Sequence, residues 1–196
     1  HKMLGPSGVG VLYGRESLLD AMAPFLGGGS MIRRVTLEGF EPAELPGKFE
    51  AGTPPIVPAL GLASAIQYLE QIGLDNIRRY ESILTRRAHE VLESVDGVRL
   101  LGPDPSKKEG IVSFVVRGIH AHDVAQVMDQ HGVAIRAGHH CAMPLHKRLG
   151  VAASSRASFY FYNTLDEIEE LGNALRHAQQ IFHRGRTSGR KPDGTR

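Results

Sequence analysis

Val133-Ala134-Ile135-Arg136-Ala137-Gly138-His139-His140-Cys141-Ala142-Met143-Pro144 begins as a strand and ends as a reactive loop. Val133, Ile135 and Ala137 alternate and share one face of an extended chain. Gly138 then lets the backbone bend, and the only cysteine of the 196 residues follows. A lone thiol has no internal disulfide partner and suits a reducing compartment. The thiolate is the reactive form of cysteine, and neighbouring cations favour it. Arg136, His139 and His140 are potential cations within five positions. The plainer reading is a small buried hydrophobe, but a run of Arg, two His and Pro does not suit a strand in a core.

Working outward, strand and helix patterns alternate. Val98–Leu101 and Ile111–Val116 read as strands, and Asp123–Gln130 as a helix with Val124, Val127 and Met128 on one face and Gly132 as its stop. Ala157–Tyr162 reads as a further strand. Thr164 and Glu167 form a capping box for a helix whose apolar stripe is Ile168, Leu171, Leu175, Ala178 and Phe182. The alternation predicts a compact α/β domain over residues 98–183. Residues 58–72 and 75–95 read as connecting helices broken near Gly73 and stopped by Gly97, a rod of residues 58–97 between two domains. Upstream, residues 1–57 hold a short buried strand at Val9–Tyr13, one or two helical turns at Glu16–Met22, a hinge or close backbone approach to a ligand at Gly27–Ser30, and a loop over Glu38–Gly47. Phe49–Pro55 is a turn into a helix.

Composition narrows the function classes. Hydrophobic residues make up 41% and charged residues 22%, which fits a globular protein in water. No apolar run is long enough to cross a bilayer and no signal peptide is visible, so a cytoplasmic protein without a membrane partner is expected. A net charge of +2 makes no general case for nucleic acid. The basic excess gathers in residues 184–196, which read as a disordered tail. The chain opens on His1-Lys2-Met3 and runs at once towards a strand, so it is expected to be cut from a longer protein.

Several residues could carry chemistry. Lys2, before a glycine-bearing loop and a strand, could present an amine that bonds a carbonyl, although most His-Lys pairs are surface features. Thr53 in Ala51-Gly52-Thr53-Pro54 precedes a helix, as a phosphate ligand or an ordinary N-cap. Arg136 and Arg156 could each grip a carboxylate through two parallel hydrogen bonds, or serve structural salt bridges. His120-Ala121-His122-Asp123 is a weak zinc signal that His139, His140 and Cys141 could complete; a helix N-cap is the plainer reading, and no resident metal is expected.

Taken in order, His1-Lys2-Met3-Leu4-Gly5-Pro6-Ser7-Gly8-Val9-Gly10, Gly27-Gly28-Gly29-Ser30-Met31-Ile32, Phe49–Pro54, Arg136–Pro144 and Arg156-Ala157-Ser158 resemble the C-terminal half of a group II cysteine desulfurase of the SufS type. That group consists of pyridoxal-phosphate enzymes of fold type I in the class V aminotransferase family. The similarity covers His1 to about His183. It implies that residues 1–57 are the C-terminal part of the large, cofactor-binding domain.

The resemblance implies roles residue by residue. Lys2 matches the lysine that carries pyridoxal 5'-phosphate and then moves the substrate's Cα proton. Cys141 matches the nucleophile that takes sulfur from L-cysteine, leaving a persulfide and L-alanine. Arg156 matches the carboxylate partner, with Arg136 nearby to assist. His1 and Thr53 match cofactor-phosphate contacts, Thr53 across a homodimer. The His120–Asp123 stretch is similar to one in enzymes that pass sulfur to the zinc protein SufU, where a histidine matching His122 takes over a zinc ligand; a SufU-type acceptor is therefore expected over a SufE-type one, in iron–sulfur cluster assembly. The family's upstream half has no counterpart here, so poor cofactor binding, little turnover by this chain alone and an exposed apolar surface near Val9–Tyr13 are expected. Selenocysteine lyase or cysteine sulfinate desulfinase on the same scaffold, and a non-catalytic partner-binding fragment, stay open as alternatives.

Overall fold

The computed structural model describes residues 2–188, so His1 and residues 189–196 lie outside the described residues. The chain divides into two units, His1–Ile72 and Gly73–Arg196.

The first unit holds helix α1 (Glu16–Ala21), a hairpin of strands β1 (Ile32–Val35) and β2 (Phe40–Pro42), and helix α2 (Ile56–Ile72). The second strand of this hairpin occupies only residues 40–42 of the loop expected over residues 38–47, most of which is loop. Ile32, Val35 and Phe40 favour extended backbone, Pro42 sits at the strand's end where it disturbs no ladder, and Thr36 N–H donates to Gly39 C=O at 2.8 Å across the turn. Val9–Tyr13, expected as a buried strand, is neither. A strand exists through bonds to a neighbouring strand, and among the described residues none pairs with this segment. Val11, Leu12 and Tyr13 are exposed. The glycine run at residues 27–29 does make a close approach, but to its own chain. A Cβ on Gly28 would lie 3.3 Å from Gly52 N, and Gly52 N–H donates to Gly29 C=O at 2.8 Å. Lys48 is buried because its ammonium donates to the carbonyls of Leu19 (3.2 Å) and Asp20 (2.6 Å) at the end of α1.

The second unit runs α3 (Leu74–Glu93), β3 (Val98–Leu101), β4 (Ile111–Val116), α4 (Ala121–Gln130), β5 (Arg136–Gly138), α5 (Met143–Leu149), β6 (Ser154–Ser158) and α6 (Leu165–Ser188). Its sheet has the order β3-β4-β6-β5 and is antiparallel at every pairing. The unit is thus a mixed α/β layer structure on an antiparallel sheet. Period-two geometry sends Val112, Phe114, Val116 and Ala157 to one face, where they meet Leu84, Leu92, Met128, Ile168 and Leu175 of α3, α4 and α6 in a single core. Ile111, Ser113, Ser154 and Arg156 point to the other face.

Element ends differ from the sequence pattern for local reasons. β5 begins at Arg136 because Val133 N–H is already committed to Met128 C=O at the end of α4. β6 is the serine-rich run, three residues earlier than expected. Ser158 already lies opposite Ile111, the first residue of β4, so little ladder is left for residues 159–162. α5 was not expected. Gly73 (φ 88°) separates α2 from α3, and the capping box forms, with Thr164 N–H donating to Glu167 Oε2 at 2.8 Å and Glu167 N–H to Thr164 Oγ1 at 3.3 Å. α6 continues to Ser188, past the boundary expected at residue 183, because extending a formed helix costs little; the rest of the expected disordered tail lies outside the described residues.

Candidate active site

The open face of the second unit's sheet carries a cavity of about 560 Å³ between β4, β6 and α5. Arg156 projects into it from β6, directly opposite Arg136 on β5 in the strand register. Like charges facing each other across a ladder are destabilising. Among the described residues neither arginine forms an ion pair, so the salt-bridge alternative is not met. Arg156 Nε is buried and has no hydrogen-bond acceptor, a condition that costs about 1–3 kcal/mol when no ligand relieves it. Two arginines opposed in the register, neither of them paired with a protein carboxylate, suit an anion, and a planar carboxylate fits the guanidinium fork.

The cysteine lies on the turn that borders this cavity. Ala142 N–H donates to His139 C=O at 2.8 Å, closing a four-residue turn with His140 (φ 51°) and Cys141 (φ 59°) at its corners. Positive φ at both corners is the pattern of a type I′ turn, normally filled by Asn and Gly. Two non-glycine residues held there are strained, and such strain clusters at functional sites. The result is an exposed thiol whose neighbours His140 and Ala142 line the cavity.

What holds the turn is a network that the sequence pattern does not reveal. Ser154 is 1% exposed and His146 5%. His146 Nδ1–H donates to Ala142 C=O at 3.0 Å, and its Nε2 is hydrogen-bonded to the Ser154 hydroxyl at 2.9 Å. His140 Nε2–H donates to Ser154 C=O at 3.0 Å, with Ser154 Oγ at 3.1 Å. Ser154 therefore ties the turn to the strand that carries Arg156 two residues on. The signals for α5, which brings His146, were Pro144 in its first turn and Gly150 (φ 66°) at its end. Burial holds His140 below the ordinary imidazole range. The hydrogen bond to the Ser154 carbonyl opposes this, and the charges of Arg156, His146 and Arg136 add to it. His140 is thus a neutral ring, not the cation expected beside the thiol.

Lys2 and Thr53 belong to the first unit. Lys2 is exposed. Thr53 is exposed at the rim of a cavity of about 520 Å³ formed by residues 9–11, 49–55 and the first turns of α2. It stands three residues before α2 and caps no helix, since Ile56 N–H bonds Pro54 C=O. At the start of α4 the N-cap is His120, whose Nδ1 accepts from His122 N–H at 3.3 Å, so the expected cap at His122-Asp123 moves back by two residues. The His120 and His122 rings stack at 5.4 Å and both are exposed. Among the described residues no three His, Cys, Asp or Glu come together as metal ligands, so His139, His140 and Cys141 do not complete a zinc site with this pair. No helix of the described residues is long and apolar enough to cross a membrane.

A cysteine desulfurase of Haloferax volcanii is 48% identical over 182 residues, 93% of this chain and 43% of the relative. The chain therefore spans less than half the length of the curated relatives it matches. The crystal structure of the cysteine desulfurase CsdA of Escherichia coli superposes with a TM-score of 0.87 at 36% identity, over 92% of this chain and 45% of the other. A K223A mutant of C-DES, solved with glycine covalently linked to its PLP cofactor, gives a TM-score of 0.69 at 26% identity, over 89% of this chain and 43% of the other. The family profile described as aminotransferase class-V matches residues 1–171. With seven-eighths of its length inside that profile, the chain belongs to the class V aminotransferase family.

Proposed function

We propose that this chain supplies the thiol, the carboxylate clamp and the cofactor lysine of a cysteine desulfurase of the SufS type, which converts L-cysteine to L-alanine and leaves the sulfur on Cys141. The observation that carries the reading is the Arg136–Arg156 pair beside the strained turn of Cys141. The names of the similar proteins support it.

Pyridoxal 5'-phosphate supplies the electron sink when bound. The residues present suit it. Lys2 is an exposed primary amine able to bond its aldehyde, and Thr53 is an exposed hydroxyl on a cavity wall beside the positive-φ Gly52. His1 is assigned to the phosphate by resemblance alone. In a homodimer, Thr53 would serve the partner's site.

The chain's own groups divide the work. Arg156, assisted by Arg136, holds the substrate carboxylate and fixes the direction of the side chain. The free Lys2 amine accepts the Cα proton and returns a proton to Cα after the sulfur has left. The Cys141 thiolate attacks the substrate sulfur: an S–S bond forms, the Cβ–S bond breaks, and the released electron pair is taken up with a proton at Cβ. The products are L-alanine and a Cys141 persulfide. Among fold relatives with the same carboxylate and amine handles, only removal of reduced sulfur requires a thiol acceptor, and an exposed thiol on a strained turn favours desulfuration over sulfinate chemistry.

The persulfide passes to an acceptor for iron–sulfur cluster assembly. The exposed, stacked His120–His122 pair supports a SufU-type zinc protein over SufE, with His122 as the incoming zinc ligand.

A chimera in which residues 1–183 replace the matching segment of the Haloferax volcanii relative tests the reading. With L-cysteine it is expected to form L-alanine and to add one sulfur atom to the Cys141 peptide by mass spectrometry. Cys141→Ser is expected to lower turnover by about a hundredfold or more, as loss of a nucleophile does. Wild-type turnover in Cys141→Ser, or sulfur that never reaches Cys141, overturns the proposal. Offered zinc-loaded SufU, the His122→Ala form is expected to keep its persulfide; undiminished transfer rejects the acceptor assignment.

A further inference from the structure

Two buried polar atoms on the sheet-face cavity are complementary and unjoined. Arg156 Nε–H is a donor without an acceptor, and His140 Nδ1 lacks any partner. The hydrogen-bond network fixes what His140 Nδ1 is. Because His140 Nε2 faces the Ser154 carbonyl at 3.0 Å, which only accepts, the ring proton sits on Nε2 and Nδ1 holds a lone pair. Both residues line the same cavity. Hydrogen bonds at working sites are often long before a ligand arrives and tighten when it does.

We propose that Arg156 Nε donates to His140 Nδ1 when a carboxylate seats on the guanidinium, making His140 the positioning residue that aims Arg156. A guanidinium held at Nε by an imidazole has its side-on edge occupied and offers the carboxylate its two terminal nitrogens. The bond requires a neutral ring. Burial keeps His140 neutral, and the groups that face it, Arg156 on β6, Arg136 on β5 and His146 on α5, disfavour a further positive charge. The backbone at φ 51° further narrows what can stand at position 140, and asparagine tolerates that conformation best among residues with a side-chain acceptor near the Nδ1 position. That the ligand which triggers the bond is a carboxylate rests on the function proposed above.

The test reads the side-chain Nε–H of Arg156 in the ¹⁵N-labelled chain by its exchange with water, with and without saturating acetate, in the wild type, His140→Asn and His140→Leu. Acetate is expected to slow that exchange about tenfold or more in the wild type and His140→Asn and not in His140→Leu, with acetate affinity about tenfold weaker in the leucine form. Acidification is expected to abolish the protection in the wild type and spare it in His140→Asn, a difference a purely structural role would not produce. Equal binding and equal exchange in all three forms would overturn the inference and leave the carboxylate reading intact. Acetate that binds none of the forms would remove the carboxylate reading, and the ligand-triggered bond with it. If His140→Leu fails to fold, the acid titration of the wild type against His140→Asn decides: identical profiles sink the proposal.

Discussion

Ser155 stands one residue from the arginine of the site and points the opposite way, into the helix-covered face of the sheet. It is 1% exposed and its hydroxyl has no partner. A buried hydroxyl left unpaired loses its bonds to water and gains nothing in return. Ser155→Ala is therefore expected to raise stability by about 1 kcal/mol, read as an upward shift in the urea midpoint with no change in slope; a destabilised variant would show that the hydroxyl is engaged. Its neighbour Ser154 is the opposite case, since both its oxygens are used in holding the cysteine turn. Sequence composition marks both as small residues that leave room for a ligand. Which serine faces which way depends on the register of β6 against β4, and register is a long-range property. For the same reason Arg156 and Arg136 could be chosen as anion ligands from their type, but their direct opposition could not.

At the scale of elements, the tightest feature is the packing of α6 on α3. A Cβ on Gly172 would overlap Val91 Cγ1 and come within 3.5 Å of the Arg176 guanidinium. Alanine is the better helix former by about 1 kcal/mol, yet overpacking a filled contact costs about 1–3 kcal/mol. Gly172→Ala is expected to lower stability on balance by about 1 kcal/mol, while adding Val91→Ala should recover most of the loss; a more stable single variant would mean that the helices part freely. Elements whose residues agree with their surroundings were legible from sequence: β3, β4, the capping box and the stripe of α6. The β1–β2 hairpin was hidden by the prolines and acids around it. α5 is hidden by its shortness, and the run Val9–Tyr13 misleads because an apolar run indicates burial without supplying a neighbour to pair with.

Across the whole molecule the apolar burial is uneven. In the first unit the buried apolar side chains are Met31, Ala65 and Leu69, while Val11, Tyr13, Phe25, Val57 and Leu60 are exposed. The second unit owns the continuous core. Among the described residues of the second unit, two histidines are held below the ordinary imidazole range, His89 by burial and the Lys108 ammonium and His140 by burial first. In the unfolded chain both titrate near the usual value of about 6.5. As pH falls below that value the unfolded state therefore binds more protons than the folded one, and stability drops until the folded-state values are passed. The urea midpoint of the second unit is expected to fall between pH 7 and about pH 5.5, and His89→Gln to shallow that fall; a flat profile would mean that neither ring stays neutral in the folded state.

The two opposed guanidinium groups carry a consequence for how the protein answers dissolved ions. Like charges facing each other across a ladder weaken it, and the same two charges favour an anion. Mobile ions shorten the reach of both effects together, to about 10 Å at 0.1 M and about 3 Å at 1 M. Added potassium chloride should thus steady the ligand-free sheet edge while weakening its hold on a carboxylate, two responses of opposite sign from one pair of side chains.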